Sequence, residues 1–344
     1  MDFLQIFQDY WLLALTAFFL GLLAVVFALK LFPKMGLMDR PHLYGLSRAP
    51  IPYYGGVAIF FAFIVGVLLF VPLEKNVIGL IVGAGLIFLL GFLDDRFNLN
   101  PWIRLVGQFF AALILVSFGI GILSFNLPFF GTVDLSLPIL SALFTIFWVM
   151  TIVNTMNFVD GVSGLTSGVS FIGASALFLL SINPLVHENP ASQTGVATLS
   201  LILAMVSLAF LIFDFPKAKI LMGDSGSTFL GFMLASLAIF SGGKVATAFL
   251  VLGIPILDMI WVIVRRTLNG KKFWQGDLLH LHHRLLNLGL SPRIVVGVYL
   301  LVTAFFGVMA VSFVGTNQKF FMVLGLATLM VLLVGAFVFL AKKR

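Results

Sequence analysis

The chain has 344 residues, of which 61% are hydrophobic and only 10% are charged, with a net charge of +7 and no cysteine. This composition excludes a soluble globular domain, and the lack of cysteine excludes disulfides, thiol nucleophiles and zinc–thiolate sites. Apolar runs of about 20 residues, the length that crosses a bilayer core, recur from end to end, without the short alternating strands of a membrane β-barrel. The sequence therefore predicts an all-α polytopic membrane protein.

Eleven apolar runs are predicted to be transmembrane helices. In chain order they are 11–32, 50–71, 77–93, 105–122, 137–153, 164–182, 195–213, 227–241, 245–264, 294–314 and 320–340. The first run follows Asp2 and Asp9 and is too long for the core of a signal peptide, so we interpret it as an uncleaved helix. No internal repeat and no soluble domain is recognisable, so residues 1–344 form one predicted integral-membrane domain.

Lys and Arg are distributed unevenly between the two sets of loops. With the N-terminus outside, seventeen of the 20 basic residues fall on one side, and cytoplasmic loops are the ones enriched in Lys and Arg. This predicts a cytoplasmic C-terminus and an active site built from the cytoplasmic loops 33–49, 94–104, 154–163, 214–226 and 265–293. Seven of the 13 acidic residues fall on the same side, so we expect any chemistry there.

A first polar cluster lies in the stretch GFLDDRFNLNP, which places Asp94 and Asp95 side by side after an apolar run. Adjacent carboxylates at a membrane surface repel each other, and a divalent cation or a cationic cluster relieves that repulsion. Such oxygens suit Mg²⁺, which takes one or two carboxylates and shares substrate phosphates. The alternative is a solvated helix end beside Arg96.

Two further clusters combine carboxylates with glycine turns. In NTMNFVDGVSGLTSG, the side chains of Asn154, Asn157 and Asp160 recur every three residues and share a helix face. The glycines that follow permit close approach either to a ligand or to another helix, and both interpretations stay open. In LMGDSGSTFLGF, Asp224 opens an apolar helix at a position suited to a metal that carries an anion. No acid–base partner surrounds Ser225, which argues against a serine nucleophile.

The fourth cluster lies in QGDLLHLHHRLLNLGLSPR, which places His280, His282, His283 and Arg284 within five residues. A phosphate-binding patch is favoured over a metal site, because neither a cysteine nor the glutamate of a metalloprotease helix accompanies the histidines. A loop that contacts lipid headgroups is the third interpretation. Asp258 falls inside a predicted span, and we interpret it as a structural partner of a polar group, with a functional role as the alternative.

Taken together, the four clusters lie far apart in sequence but on one predicted membrane face. Carboxylates, amides, glycine turns and cations are the groups that Mg²⁺-dependent phosphoryl transfer requires. A site at the bilayer surface suits one soluble and one lipid-borne reactant. The alternative from another class is a secondary transporter that uses Asp258 for coupling. It requires polar residues at mid-depth in several spans, whereas here they gather on one side.

Nearly along its whole length, the chain resembles the polyprenyl-phosphate N-acetylhexosamine-1-phosphate transferases. The stretches that carry the resemblance are, in order, HLYGLSRAPIPYYGGVAI, FLDDRFNLNPWIRLVGQ, NTMNFVDGVSGL, MGDSGSTFLG and HLHHRLLNLGLSPR. The His-x-His-His signature is similar to the branch of WecA and TagO, which uses UDP-GlcNAc. Related muramoyl-pentapeptide transferases carry a different histidine triplet.

The resemblance implies a multi-pass enzyme of the cell membrane with its active site on the cytoplasmic face. It implies transfer of GlcNAc-1-phosphate from UDP-GlcNAc to a polyprenyl phosphate such as undecaprenyl phosphate, with release of UMP and with Mg²⁺ or Mn²⁺ as the cofactor. The product would prime a surface glycan such as O-antigen or wall teichoic acid. Another UDP-N-acetylhexosamine is the alternative donor. Members of the family can form homodimers, and no nucleic-acid partner is expected.

The resemblance also implies roles for individual residues. Asp224 and Asn157 would hold the metal, while Asp94, Asp95 and Asp160 would form the catalytic group, with Asp94 deprotonating or positioning the lipid phosphate. The implied substrate-binding residues are Asn154, Asn157, Ser163, Arg104, His280, His282, His283 and Arg284. Ser163 departs from the family, which commonly has Asp or Asn near the uracil, so the donor stays open. Direct attack and an aspartyl-phosphate intermediate stay open as well.

Overall fold

The computed structural model describes residues 3–41, 48–187, 190–241, 245–270, 280–313 and 315–342. Almost all of their secondary structure is helical. The helices are α1 (Phe3–Leu31), α2 (Gly55–Phe70), α3 (Lys75–Phe97), α4 (Pro101–Ser117), α5 (Pro138–Val159), α6 (Leu165–Ser181), α7 (Thr194–Asp214), α8 (Gly223–Phe240), α9 (Val245–Val251), α10 (Gly253–Leu268), α11 (Leu281–Asn287), α12 (Pro292–Ser312) and α13 (Thr316–Lys342). The strands are β1 (Ser124–Leu127) and β2 (Gly131–Asp134).

Each of the eleven predicted spans coincides with helical structure. Within the described residues, six helices are long and apolar enough to cross a membrane, namely α1, α3, α5, α7, α8 and α12. The pair α9 and α10, which is bent by 80°, makes a seventh span if it is counted as one. Helices α2, α4, α6 and the first part of α13 are apolar but shorter. The polytopic all-α architecture is confirmed, while the number eleven and the orientation stay predictions.

Strands β1 and β2 form an antiparallel hairpin between α4 and α5, in which Leu127 pairs with Gly131. The hairpin contacts the start of α13, where the backbone N–H of Phe129 donates to Oδ1 of Asn317 at 3.2 Å. The sequence analysis did not predict these strands, because four residues are too few to show alternating hydrophobicity.

Helix α8 forms the centre of the bundle and is buried along nearly its whole length. It packs mainly against α2, α3 and α5, and small residues make that packing close. A Cβ on Gly231 would lie 2.9 Å from the Cα of Val153, and a Cβ on Gly91 would lie 2.6 Å from the Cα of Ser225. Small residues of this kind let transmembrane helices approach at the backbone. The start of α8 is therefore held tightly between its neighbours.

Backbone pairing fixes the start of α8 against the start of α2. The N–H of Leu221 donates to the carbonyl of Pro52 at 2.9 Å, and the N–H of Gly55 donates to the carbonyl of Leu221 at 2.8 Å. Helix α4 begins nearby with Asn100, whose side chain accepts from the N–H of Trp102, a common N-cap arrangement. The ends of α3, α5 and α7 and the beginnings of α2, α4, α6 and α8 thus gather at one end of the bundle.

Candidate active site

The two adjacent carboxylates at the end of α3 have different partners, and Asp95 binds the start of α8. Its Oδ1 accepts hydrogen bonds from the Tyr53 hydroxyl at 3.0 Å and from the N–H of Asp224 at 2.7 Å. Its Oδ2 accepts from the N–H of Ser225 at 3.0 Å. The first N–H groups of a helix lack partners within the helix, so Asp95 caps α8. A catalytic role for Asp95 stays a prediction.

Only glycine fits at the turn where Asp95 meets α8. Gly223 has a φ of 76°, in the left-handed region that favours glycine. A Cβ at this position would also lie 2.7 Å from Oδ2 of Asp95. The glycine of the Gly-Asp-Ser-Gly stretch therefore permits the cap and, with it, the placement of Asp224.

Asp94 faces a cation instead. This carboxylate is 6% exposed. Its Oδ2 accepts a hydrogen bond from Nη1 of Arg104 at 2.7 Å, and its Oδ1 accepts one from the N–H of Leu99 at 2.7 Å. The same Nη1 lies 3.3 Å from Oδ2 of Asp224. Arg104 therefore joins two carboxylates from different helices, and relief of the repulsion between Asp94 and Asp95 by a cation stays a prediction.

Asp224 is held from its other side by Asn157. Nδ2 of Asn157 donates to Oδ1 of Asp224 at 2.9 Å and to Oγ of Ser227 at 3.3 Å. The Asp224 side chain is 32% exposed and faces a cavity of about 220 Å³. The cavity is lined by Tyr53, Asn157, Asp160, Gly161, Ser163, Asp214, Leu221, Met222, Gly223 and Asp224. Residues from two of the four predicted polar clusters thus meet around one space, together with Tyr53 and Asp214.

Asp224 and Asn157 carry side chains of the kind that fit a magnesium ion, and their role as its ligands stays a prediction. Their carboxylate and carboxamide oxygens are the ligand type that Mg²⁺ prefers, and this ion commonly keeps several waters beside one or two carboxylates. Among the described residues, no group of three or more histidine or acidic side chains is arranged to hold a metal. The arrangement therefore does not fit a cage made of protein ligands alone.

Asp160 and Asp214 lie around the turn that follows α5. Asp214 is 3% exposed and accepts hydrogen bonds from the N–H of Gly164 at 2.8 Å and from Oγ of Ser167 at 2.7 Å. Burial and, next, the carboxylate of Asp214 raise the pKa of Asp160 well above its ordinary value. Asp214 therefore fixes the turn that carries Asp160 and Ser163 into the cavity wall.

Asn154 turns toward α4 instead of toward the cavity. Its Nδ2 donates to Oε1 of Gln108 at 2.7 Å and to the carbonyl of Met150 at 2.7 Å. Gln108 lies beside Asp94 and Arg104 in a narrow crevice. Asn154 thus ties α5 to α4 next to the crevice, and its substrate-binding role stays a prediction.

The histidine cluster lies behind the cavity wall. His282 on α11 is 1% exposed, and a Cβ on Gly161 would lie 2.5 Å from its Nε2. Burial, followed by the neighbouring His283, lowers the pKa of His282 to about 3, so the imidazole is neutral at physiological pH. Neither ring nitrogen of His282 has a hydrogen-bond partner in the described part of the chain.

The structure thus brings most of the predicted site residues together, with two qualifications. None of His280, His282, His283 and Arg284 lines the cavity, although His282 and His283 lie against Gly161. Residues 271–279 and 42–47, which include parts of two motifs, lie outside the described residues. Sequence reasoning assigned no role to Tyr53, Gln108 or Asp214, because no local pattern distinguishes them from ordinary residues within a helix or beside its end.

Residues 77–242 match the family model for glycosyl transferase family 4. A probable undecaprenyl-phosphate N-acetylglucosaminyl 1-phosphate transferase of Bacillus subtilis is 33% identical over 86% of this chain and 84% of its own length. The chain belongs to glycosyl transferase family 4. The residues that match the family model extend from α3 to α8. They include both carboxylates at the end of α3, Arg104, Asn157 and Asp224.

Two further relatives extend the similarity. The decaprenyl-phosphate N-acetylglucosaminephosphotransferase of Mycobacterium tuberculosis is 33% identical over 83% of this chain and 78% of its own length. The undecaprenyl-phosphate alpha-N-acetylglucosaminyl 1-phosphate transferase of Escherichia coli is 27% identical over 81% of this chain and 77% of its own length. The names of these relatives confirm the resemblance that the motifs indicated.

Proposed function

We propose that this protein transfers GlcNAc-1-phosphate from UDP-GlcNAc to a polyprenyl phosphate, giving polyprenyl-diphospho-GlcNAc and UMP. The observation that carries the proposal is the meeting of Asp94, Arg104 and Asp224 at one end of an apolar bundle. The names of the relatives from three bacteria support the same reaction. The clustering of these groups at one end suits a soluble donor and a lipid acceptor.

In the proposed reaction, an oxygen of the lipid phosphate attacks the phosphorus that carries the sugar. The bond from that phosphorus to the bridging oxygen of the diphosphate breaks, and UMP leaves with this oxygen. In this proposal, Asp94 takes a proton from the lipid phosphate or positions it. Arg104 binds phosphate, because a guanidinium matches phosphate oxygens. A covalent intermediate on Asp94 is the alternative route.

Asp224 and Asn157 are the residues that would hold Mg²⁺. The ion, when bound, supplies positive charge against the charge that develops on the diphosphate. Asp95 caps the start of α8, at a turn that Gly223 permits, and so keeps Asp224 at the edge of the cavity. Nδ2 of Asn157 donates to Oδ1 of Asp224 and orients the carboxylate. We further propose that this end of the bundle faces the cytoplasm, where nucleotide sugars are available, and that the product initiates a cell-surface glycan.

The proposed donor is UDP-GlcNAc, and another UDP-N-acetylhexosamine is the alternative. Ser163 lines the cavity, at the position that the family commonly fills with Asp or Asn. A serine hydroxyl is shorter and uncharged, so it gives a donor fewer contacts than a carboxylate or an amide. Discrimination between donors is therefore tested best by offering each one separately.

Donor labelled with ³²P on the sugar-bearing phosphate tests the reaction type. We expect the label to enter the lipid fraction and the unlabelled nucleotide to leave as UMP, in the presence of polyprenyl phosphate. Release of labelled UDP together with an unlabelled glycolipid would instead show transfer of the sugar alone and would contradict the proposal.

A further inference from the structure

Asp258 makes two contacts that the proposed reaction does not use. It lies in α10 and is 4% exposed. Its Oδ2 lies 3.0 Å from Nδ1 of His280, which is itself 6% exposed, and its Oδ1 accepts a hydrogen bond from the N–H of Leu281 at 2.9 Å. An ionised carboxylate only accepts hydrogen bonds. Beside an ionised Asp258, this contact requires a proton on Nδ1 of His280.

The second contact fixes the start of α11. His280 is the residue that precedes this helix, and Leu281 is its first residue. Early N–H groups of a helix need partners from outside it, and here α10 supplies one. A single buried carboxylate thus holds both the ring before the helix and the first N–H of the helix that carries His282 and His283.

Helix α11 in turn lies against the cavity wall. Nε2 of His282 and Nε2 of His283 would be 2.5 Å and 3.3 Å from a Cβ on Gly161, so both rings pack on this glycine. The ring of Phe158, near the end of α5, lies 5.5 Å from the ring of His280. The turn that these side chains contact is the one that carries Asp160 and Ser163 into the cavity.

We propose that Asp258 is a positioning residue for the transferase site. It holds His280 in the form protonated on Nδ1 and seats α11 against the turn at Gly161, so that its effect on turnover passes through His280. The turnover part of this inference rests on the proposed function. If Asp258 served only as the acceptor for the N–H of Leu281, replacing it would change stability. The effect of the replacement would then be the same with or without the imidazole of His280.

A double-mutant cycle separates the two roles. Asp258→Asn keeps an oxygen for the N–H of Leu281 but presents an NH₂ group to His280, which reverses the direction of that hydrogen bond. We expect it to lower kcat/KM about ten- to hundredfold, the range set by one hydrogen bond to a charged group. In a His280→Gln background, the same substitution should cost less than about threefold, because the partner through which it acts is gone. The matched control is Asp134→Asn on the exposed hairpin.

Two outcomes of the cycle would overturn the proposal. One is an equal ten- to hundredfold loss of kcat/KM from Asp258→Asn in the wild-type and in the His280→Gln backgrounds. The other is an unchanged kcat/KM in Asp258→Asn. Apparent unfolding temperatures, measured for every variant, show whether a lost rate reflects lost folding.

A second measurement uses the wild-type protein and needs no substrate. ¹⁵N NMR of histidine-labelled protein, with the signals of His280 assigned by their loss in His280→Gln, reports which ring nitrogen carries a proton. We expect a protonated Nδ1, and an unprotonated Nδ1 would overturn the proposal even if Asp258→Asn fails to fold. A protein that releases no UMP contradicts the proposed function alone, since the NMR signals are read without turnover.

Discussion

The carboxylate of Asp95 accepts a hydrogen bond from the backbone N–H of Asp224, at 2.7 Å and across 129 positions of the chain. This contact explains why two carboxylates stand together at the end of α3. Asp95 caps the helix that carries Asp224, while Asp94 shares Arg104 with the side chain of Asp224. Asp95 thus stabilises the arrangement of the site, whereas Asp94 lies beside Arg104 within it.

Loss of Asp95 should therefore destabilise the protein. Asp95→Ala leaves the N–H groups of Asp224 and Ser225 without their acceptor, at a cost of about 1–3 kcal/mol for each buried donor. We expect a lower apparent unfolding temperature in detergent together with lost turnover. Asp134→Ala removes a carboxylate that also accepts two hydrogen bonds, but on the exposed hairpin, and is the matched control. An Asp95→Ala protein with wild-type stability would contradict the assignment.

Replacing Asp94 should have the complementary effect. Asp94→Asn keeps the shape of the side chain and an acceptor for the N–H of Leu99, but it removes the charge that faces Arg104. We expect turnover to be abolished while binding of UDP-GlcNAc, measured by calorimetry, stays largely intact. Near-wild-type turnover in this variant would remove Asp94 from the mechanism.

A methyl group at Gly161 should push helix α11, which carries His282 and His283, away from the cavity wall. In Gly161→Ala the new Cβ would lie 2.5 Å from Nε2 of His282, so the ring or the turn must move. Displacements of about 1 Å near a reacting centre can cost about 100-fold in rate, and we expect a loss of about ten- to hundredfold in kcat/KM. Gly85→Ala, at a helical position with nothing within 4 Å of the new Cβ, is the control. Equal activity of the two variants would argue against this contact.

The buried His282 should make stability depend on pH. Its pKa is about 3 in the folded protein and about 6.5 in an unfolded chain. Between these values only the unfolded chain binds the proton. Protonation of His282 therefore does not affect the free energy of unfolding above about pH 6.5. As the pH falls below this value, the unfolded chain takes up the proton and the free energy of unfolding falls by roughly 1.4 kcal/mol per pH unit.

The measurement is the apparent unfolding temperature at pH 7 and at pH 5, for the wild-type protein and for His282→Gln. We expect the wild-type value to fall more steeply with acidification, since the glutamine does not titrate. The difference between the two proteins removes the contributions of all other titrating groups. An equal fall of the unfolding temperature in both proteins would show that His282 is protonated in the folded state or is accessible to water.

The helices could be predicted from sequence because lipid leaves few alternatives. An apolar run of about 20 residues in a bilayer must satisfy its own backbone hydrogen bonds, which a helix does. The motifs also located most of the cavity lining, since polar residues at the ends of apolar runs are uncommon. The predicted partnership of Asp258 with a polar group is confirmed, and that group is His280.

Partnerships between distant residues could not be predicted in the same way. Nothing in the sequence around Asp95 indicates that its carboxylate accepts hydrogen bonds from the backbone N–H groups of Asp224 and Ser225. Likewise, Asp214 and Tyr53 stand in no local pattern, yet one fixes the turn at Gly164 and the other donates to Asp95. Their roles follow from packing between helices, which brings together residues that the sequence separates.

The most direct test of the account is UMP release by the purified protein with polyprenyl phosphate and Mg²⁺. UDP-GlcNAc, UDP-GalNAc and UDP-MurNAc-pentapeptide would be offered separately, with and without EDTA. The account predicts release with UDP-GlcNAc and its loss on addition of EDTA. Release with another donor alone would keep the reaction and reassign the donor specificity to the region of Ser163. No release with any donor, from a folded protein, would contradict the account.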